Sequence, residues 1–156
     1  MELRLRPLRP GRDHDDPDKG KGTTTYTALD QIATSKDARN TVLEYSYDEL
    51  GRKTGLWKSP NWDANKLAAW TYDTVRKGAP SASTRYEGGL TGKAYTKSVT
   101  AYDVLGRPAT NRLILPADDP LVTSGAIAAT TDTTATYRLE RHPEHGGRSG
   151  CRGPAG

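Results

Sequence analysis

The sequence YDELGR at residues 47–52 recurs almost unchanged as YDVLGR at residues 102–107. Each copy follows a run of alternating side chains, TVLEYSY at 41–47 and KSVTAY at 97–102. Alternation is typical of a half-buried β-strand, and Asp followed closely by Gly is typical of a turn, because Gly readily adopts positive φ. Each phrase therefore predicts the end of a strand, a turn, and a return strand that starts at Arg.

Two weaker copies of the phrase occur in the same chain. YDTV at 72–75 has its Gly displaced to position 78, and YTALD at 26–30 has lost the Asp next to Tyr. The four tyrosines lie 21, 25 and 30 residues apart, which indicates a repeat with loop insertions. The Leu or Val inside each phrase is expected to pack on the Tyr ring. The residues predicted to hold the turns are Tyr26, Asp30, Tyr47, Asp48, Gly51, Arg52, Tyr72, Asp73, Tyr102, Asp103, Gly106 and Arg107.

The composition favours strands over a conventional core. Leu, Ile, Val and Phe together make up 22 of the 156 residues, about 14%, which is low for an aliphatic core. Eight Tyr and three Trp suit half-buried strand surfaces, and 16 Gly with 10 Pro punctuate them. These features predict an all-β fold with many turns.

The chain divides into three regions by composition. Residues 1–15 and 138–156 are rich in Arg, Gly and Pro without periodicity, so both ends are predicted to be disordered. Residues 16–137 hold the repeats. Within them, residues 37–40 are predicted to form a second turn, and residues 59–63 and 77–80 are predicted to form longer loops. Residues 64–69 are the one segment where a short helical turn could form in place of a strand.

These motifs resemble the YD-repeat, or RHS-repeat, family of large bacterial proteins, whose unit carries Tyr-Asp, two variable residues, Gly-Arg and a strand. The resemblance covers about 16–137 and implies stacked antiparallel β-hairpins that form a curved strip of sheet. In complete, secreted or cell-surface members that strip closes into a shell around a C-terminal cargo, often a toxin. Nothing here matches the cap, the protease or a toxin. The resemblance therefore implies a truncated, non-catalytic structural segment whose partners are neighbouring repeats or the parent shell protein.

A carbohydrate-binding module is the main alternative, and it too has been proposed for this repeat family. Trp57, Trp62 and Trp70 are the candidate sugar-binding residues. The competing interpretation places Trp57 and Trp70, which lie in strand-like runs, in the core, and leaves Trp62 open because it lies in a loop. Buried rings would favour the shell segment, and a coplanar exposed row would favour sugar binding.

Other chemistry is not favoured, so neither an enzyme nor a cofactor is predicted. His142, His145 and Cys151 lack a fourth zinc ligand, and no metal site is expected. Asp48, Asp73 and Asp103 occupy equivalent turn positions, which favours turn capping over paired catalytic carboxylates. No Gly-x-Ser-x-Gly elbow or phosphate-binding loop occurs.

The net charge of +4 does not by itself indicate a partner. Lys and Arg are scattered in ones and twos, so they are interpreted as solvated surface and no nucleic-acid partner is predicted. No stretch approaches the roughly 20 apolar residues of a membrane span. Residues 1–9 lack the apolar centre of a signal peptide, which leaves the localisation of the fragment open.

Overall fold

The computed structural model describes residues 9–18 and 20–137. These residues form ten β-strands, one 3-10 helix and one short α-helix. The strands are β1 (Arg9–Asp16), β2 (Gly20–Tyr26), β3 (Ile32–Lys36), β4 (Val42–Tyr47), β5 (Lys53–Lys58), β6 (Lys66–Tyr72), β7 (Pro80–Glu87), β8 (Lys93–Tyr102), β9 (Pro108–Ile114) and β10 (Thr130–Thr134). The 3-10 helix is Asp63–Asn65, and the α-helix, α1, is Pro120–Thr123.

All ten strands belong to one antiparallel sheet in which they follow one another in chain order from β1 to β10. The prediction of an all-β fold built from antiparallel hairpins is therefore confirmed. Because the strands alternate in direction, the connections alternate between the two ends of the sheet. Residues 27–31, 48–52, 73–79 and 103–107 all lie at one end, which we call the tyrosine end. The other connections, including 37–41 and 59–65, lie at the opposite end.

The predicted connections at the opposite end are also present. Asp37 opens the turn to β4 by accepting hydrogen bonds from the amides of Arg39 and Thr41 at 2.9 and 2.8 Å, and Asn40 has a φ of 64°. In the segment 64–69, where a helical turn was the alternative to a strand, both are present. A 3-10 helix ends at Asn65, and β6 begins at the next residue. Helix α1 was not expected from the sequence. Asp119 caps it by accepting from the Leu121 amide at 2.9 Å.

The strand register divides the side chains between two faces, since directly opposed residues point to the same side of a sheet. The face that we call face A carries the row Tyr45, Leu56, Ala68, Arg85 and Tyr95 across β4 to β8. The other face, face B, carries the row Ser46, Gly55, Ala69, Thr84 and Thr96 across the same strands.

No hydrophobic side chain among the described residues is buried, because the sheet is a single layer. Cross-strand pairs take the place of a core. On face B, hydroxyl pairs join neighbouring strands at Thr25–Thr34 (2.6 Å), Ser46–Thr54 (2.8 Å) and Thr84–Thr96 (2.9 Å). Each such pair contributes roughly 0.2–1 kcal/mol, so stability depends on many of them together.

The predicted disorder of residues 1–15 needs a correction. Residues 9–16 form β1, which pairs with the Thr-rich strand β2. Thr23 donates its hydroxyl to Asp13 at 2.8 Å, and a side chain at Gly11 would meet the Thr23 methyl at 2.9 Å. Its sequence, RPGRDHDD, has no alternation of apolar and polar residues that sequence reasoning could detect. Residues 1–8 and the predicted disordered end at 138–156 lie outside the described residues.

Candidate functional site

The two strong copies of the motif form the same three-residue turn at the tyrosine end. The Asp48 carboxylate accepts from the amides of Leu50 and Arg52 at 3.0 and 2.8 Å, and from Arg52 Nε at 2.7 Å. Gly51 closes the turn with a φ of 78° and donates its amide to the Asp48 carbonyl at 2.9 Å. This is a type I turn followed by a left-handed residue, one of the common hairpin connections.

The second strong copy repeats that geometry almost atom for atom. Asp103 accepts from the Leu105 and Arg107 amides at 3.0 and 2.8 Å, and from Arg107 Nε at 2.7 Å. Gly106 has a φ of 82°. The structure thus places Asp, Gly and Arg of each strong motif in one hydrogen-bonded turn.

The copy at 26–31 corrects the role expected for Asp30. Thr27, not Asp30, occupies the position of Asp48, and its hydroxyl accepts from the amides of Leu29 and Gln31 at 3.2 Å each. Asp30 occupies the position of Gly51 and has a φ of 59°. Asp and Asn tolerate this left-handed conformation better than other side chains do, which is why the turn survives the loss of both motif residues.

The copy at 72–79 keeps its Asp but forms a longer loop. Asp73 donates its amide to the Ala79 carbonyl at 2.9 Å and accepts from the Gly78 amide at 2.6 Å. Asp73 itself has a φ of 67° and Gly78 a φ of 81°. The displaced Gly therefore still supplies the left-handed residue that closes the connection.

The tyrosines join each repeat to the one before it. Each hydroxyl donates to the backbone carbonyl of the first residue of the preceding return strand: Tyr47 to Ile32 (2.9 Å), Tyr72 to Lys53 (2.9 Å), Tyr102 to Pro80 (2.5 Å) and Tyr137 to Pro108 (2.8 Å). The strand register shifts at Tyr26, Tyr47, Tyr72 and Tyr102, as a β-bulge does, and bulges re-aim side chains. We call this series the tyrosine ladder.

The arginines connect the same repeats through charge and stacking. The Arg52 guanidinium lies 4.4 Å from the ring centroid of Tyr72 and donates two bonds to Asp73, at 3.2 and 2.6 Å. Arg107 lies 4.1 Å from the ring centroid of Tyr137. The turns at 27–31 and 73–79 have no arginine at the position of Arg52, and another long side chain reaches the next turn. Gln31 donates to the Gly51 carbonyl at 2.8 Å, and Arg76 donates to the Asp103 carbonyl at 3.4 Å.

One expectation about the turns is wrong. Leu50 is 75% exposed and Leu105 is 63% exposed, so neither side chain is packed away against its own Tyr ring. In two units an arginine of the preceding turn lies next to the ring instead, Arg52 at Tyr72 and Arg107 at Tyr137.

Sequence reasoning missed four contributors to the ladder: Thr27, Gln31, Arg76 and Tyr137. Tyr137 follows the Thr-rich strand β10 just as Tyr26 ends the Thr-rich strand β2. That similarity is the one signal that could have identified it, since no Asp follows it in the sequence.

The turn carboxylates are held in their charged form. Hydrogen bonds from the Arg107 amide and side chain keep the pKa of Asp103 below its ordinary value, although desolvation opposes them. Desolvation is the largest influence on Asp48, yet the bonds from Arg52 outweigh it and its pKa is also lowered. The Arg52 side chain lowers the pKa of Asp73, and the Gly78 amide adds to this effect. Burial raises the pKa of Tyr47, which keeps its hydroxyl a donor.

This arrangement can orient and connect backbone segments. The carboxylates of Asp48 and Asp103 already accept several N–H donors each, and no group of three or more metal-ligating side chains occurs in residues 9–18 and 20–137. His142, His145 and Cys151 lie outside the described residues. None of the helices within the described part of the chain is long and apolar enough to cross a membrane.

The three candidate sugar-binding tryptophans do not form one row. Trp70 lies on face A and Trp57 on face B, as the pairing of Leu56 with Ala68 requires. Both are half-buried, and Trp57 covers Gly55 so closely that a Cβ there would clash with the ring. Trp62 lies in the 59–65 loop and is 68% exposed.

Comparisons with protein-family profiles, with curated proteins and with solved structures find no match to this chain. What can be said of its function therefore depends on its own residues and their geometry.

Tyr72→Phe is expected to lower the free energy of unfolding by about 1 kcal/mol, because it removes the hydroxyl that donates to the Lys53 carbonyl and keeps the ring. Urea denaturation of the full chain measures this change. Tyr86→Phe is the matched control, since no described residue accepts a hydrogen bond from the Tyr86 hydroxyl, and it should stay within about 0.5 kcal/mol of the wild type. Equal losses in the two variants would contradict the ladder.

The stability of the sheet is expected to fall in acid. Because the pKa values of Asp48 and Asp103 are lower in the folded chain than in the unfolded one, their contribution is fully present above the unfolded value of about 4 and disappears as pH falls through the folded values. Thermal melts between about pH 6 and pH 2 record the decline. The double variant Asp48→Asn, Asp103→Asn should show a shallower decline, and an unchanged profile would rule out this origin.

Proposed function

We propose that this chain is a non-catalytic structural segment of a hairpin-repeat protein of the YD or RHS type. The tyrosine ladder is the single observation that carries the proposal. Four tyrosine hydroxyls make equivalent bonds to the preceding unit, so each hairpin is positioned by its neighbour. Such nearest-neighbour dependence is the defining property of repeat architectures.

The roles of the motif residues support the same proposal. Asp, Gly and Arg of the strong motifs are all engaged in closing a turn, and Arg52 also reaches the next one. In this proposal the partners of the chain are further repeats of a parent shell protein, and the parent is secreted or displayed at the cell surface.

Hydrogen exchange of the full chain tests the nearest-neighbour organisation. In a repeat array, Tyr72→Phe should accelerate amide exchange in β5, β6 and β7, which adjoin the lost bond, and leave β9 and β10 close to wild-type rates. Tyr86→Phe again serves as the control. Uniform loss of protection along all ten strands would indicate one indivisible unit and contradict the proposal. A hydrolytic activity abolished by Asp48→Asn in a folded chain would contradict the non-catalytic role.

A second candidate function is carbohydrate binding at the 59–65 loop, and the exposure of Trp62 favours it. The loop is held in place by bonds from the Asn65 side chain to the Pro60 carbonyl at 2.8 Å and from the Leu90 amide to the Asp63 carbonyl at 2.8 Å. An indole that is 68% exposed on a fixed loop offers a flat apolar surface to a sugar ring.

Glycan binding through Trp62 predicts that Trp62→Ala abolishes retention of the chain on an immobilised neutral polysaccharide. Trp57→Leu, on face B, should keep the retention, because that ring is half-buried over Gly55. Affinity electrophoresis in gels with and without the polysaccharide measures the effect. Equal mobility of the wild type in both gels would dismiss this candidate.

A further inference from the structure

Face A gathers positive charge that is scattered along the chain. Across β4 to β8 the register places five cations and a single carboxylate, Glu87, on this face. The cations are Lys53, Lys58, Arg85, Lys93 and Lys97. On face B, the same strands carry only Lys66 and Glu44 as charged residues directly paired across the sheet.

Four of these cations have no acidic partner among the described residues. Lys93 is paired with Asp118 at 3.0 Å. No described carboxylate lies within salt-bridge distance of Lys53, Lys58, Arg85 or Lys97, whereas Arg52, Arg107 and Arg112 are paired at 2.6–2.7 Å. The unpaired charge of face A is therefore available to an anion.

Aromatic rings alternate with these cations across five consecutive strands. Lys53 Nζ lies 4.5 Å from the ring centroid of Tyr45 and 5.6 Å from that of Trp70. The Arg85 guanidinium lies 4.4 Å from the ring centroid of Tyr95. Tyr45, Lys53, Trp70, Arg85 and Tyr95 thus form a cation–aromatic stripe that runs across the strands from β4 to β8.

A groove beside the stripe adds polar side chains. Its volume is about 320 Å³, and its lining includes Trp70, Ser83, Lys97, Val99 and Asn111, which the register places together on face A. Its apolar lining is the Trp70 indole with Tyr72, Pro80 and Val99, and Ser83, Lys97 and Asn111 add a hydroxyl, an ammonium and an amide. A planar ring with a polar edge suits this combination.

We propose that face A binds single-stranded nucleic acid. Phosphates would be neutralised by Lys53, Lys58, Arg85 and Lys97, and bases would stack on the rings of the stripe. Proteins that bind single strands without strong sequence preference combine a basic surface that follows the backbone with aromatic side chains under the bases. The Arg85 guanidinium, stacked on Tyr95, adds a second kind of flat surface for a base.

The arrangement favours a single strand over other anions. A duplex keeps its bases paired, so it would leave the rings and the groove of face A unused. An acidic peptide offers carboxylates but few planar rings. This proposal does not depend on the structural role above, because the ladder uses the backbone carbonyl of Lys53 whereas the stripe uses its side chain.

Fluorescence anisotropy of a labelled thymidine oligonucleotide of about 12 nucleotides tests the proposal with the full chain. Four phosphate contacts predict that the logarithm of the binding constant falls with the logarithm of salt with a slope of about −3. Lys97→Glu should weaken binding at least about fivefold and make the slope shallower by about 0.7. Trp70→Ala should weaken it about tenfold through lost stacking.

Lys36→Glu is the matched control, because it makes the same charge change at an exposed position of face B. Circular dichroism of each variant checks that the sheet is intact, and Lys97→Glu keeps the test valid if Trp70→Ala unfolds. The proposal is overturned if the oligonucleotide does not bind at about 50 mM salt or if Lys36→Glu weakens binding as much as Lys97→Glu. Equally tight binding of a duplex, or of a sulfated polysaccharide with no effect of Trp70→Ala, would also overturn it.

Discussion

The hydrogen bond from each tyrosine hydroxyl to the preceding return strand is the interaction on which the rest of the sheet depends. A single layer of ten strands buries no hydrophobic side chain among the described residues, so the hydrophobic effect cannot by itself align one hairpin on the next. Tyrosine supplies a hydroxyl donor that fixes its distance from the preceding return strand, and a ring on which an arginine can stack. The hydroxyl bond is repeated four times along the sheet and defines where each hairpin lies, and the arginine contact adds to it at Tyr72 and Tyr137.

The degenerate copies show which parts of the motif can be replaced and why. An acceptor is needed after Tyr to bind two turn amides, and a threonine hydroxyl serves at position 27 as a carboxylate does at position 48. In the three-residue turns the left-handed residue comes three positions later, and Asp30 takes that conformation where Gly51 does elsewhere. The tyrosine is the one element present in every copy, because no other side chain combines its length, ring and hydroxyl.

The two faces of the sheet have different chemistry although they share the same strands. Face B carries small residues and hydroxyl pairs, and one lysine, Lys66, lies between the rings of Trp57 and Tyr86. Face A carries cations between aromatic rings, and most of those cations lack a described acidic partner. The ladder maintains the order of the hairpins through backbone carbonyls, which leaves the side chains of Lys53, Arg85 and Lys97 open to other roles.

The sequence by itself determined the fold class, the turns and most of the residues that hold them. These are local properties: Asp and Gly a few residues apart fold the backbone within one turn, and alternation marks a strand without reference to its neighbours. Strand β1 was not predicted, because its side chains show no alternation of apolar and polar residues. Only the tertiary structure decided that Thr27 replaces Asp, that Tyr137 extends the ladder, and that Lys53, Arg85 and Lys97 share a face. The shared face follows from strand register, since a shift of one residue moves every side chain to the other face.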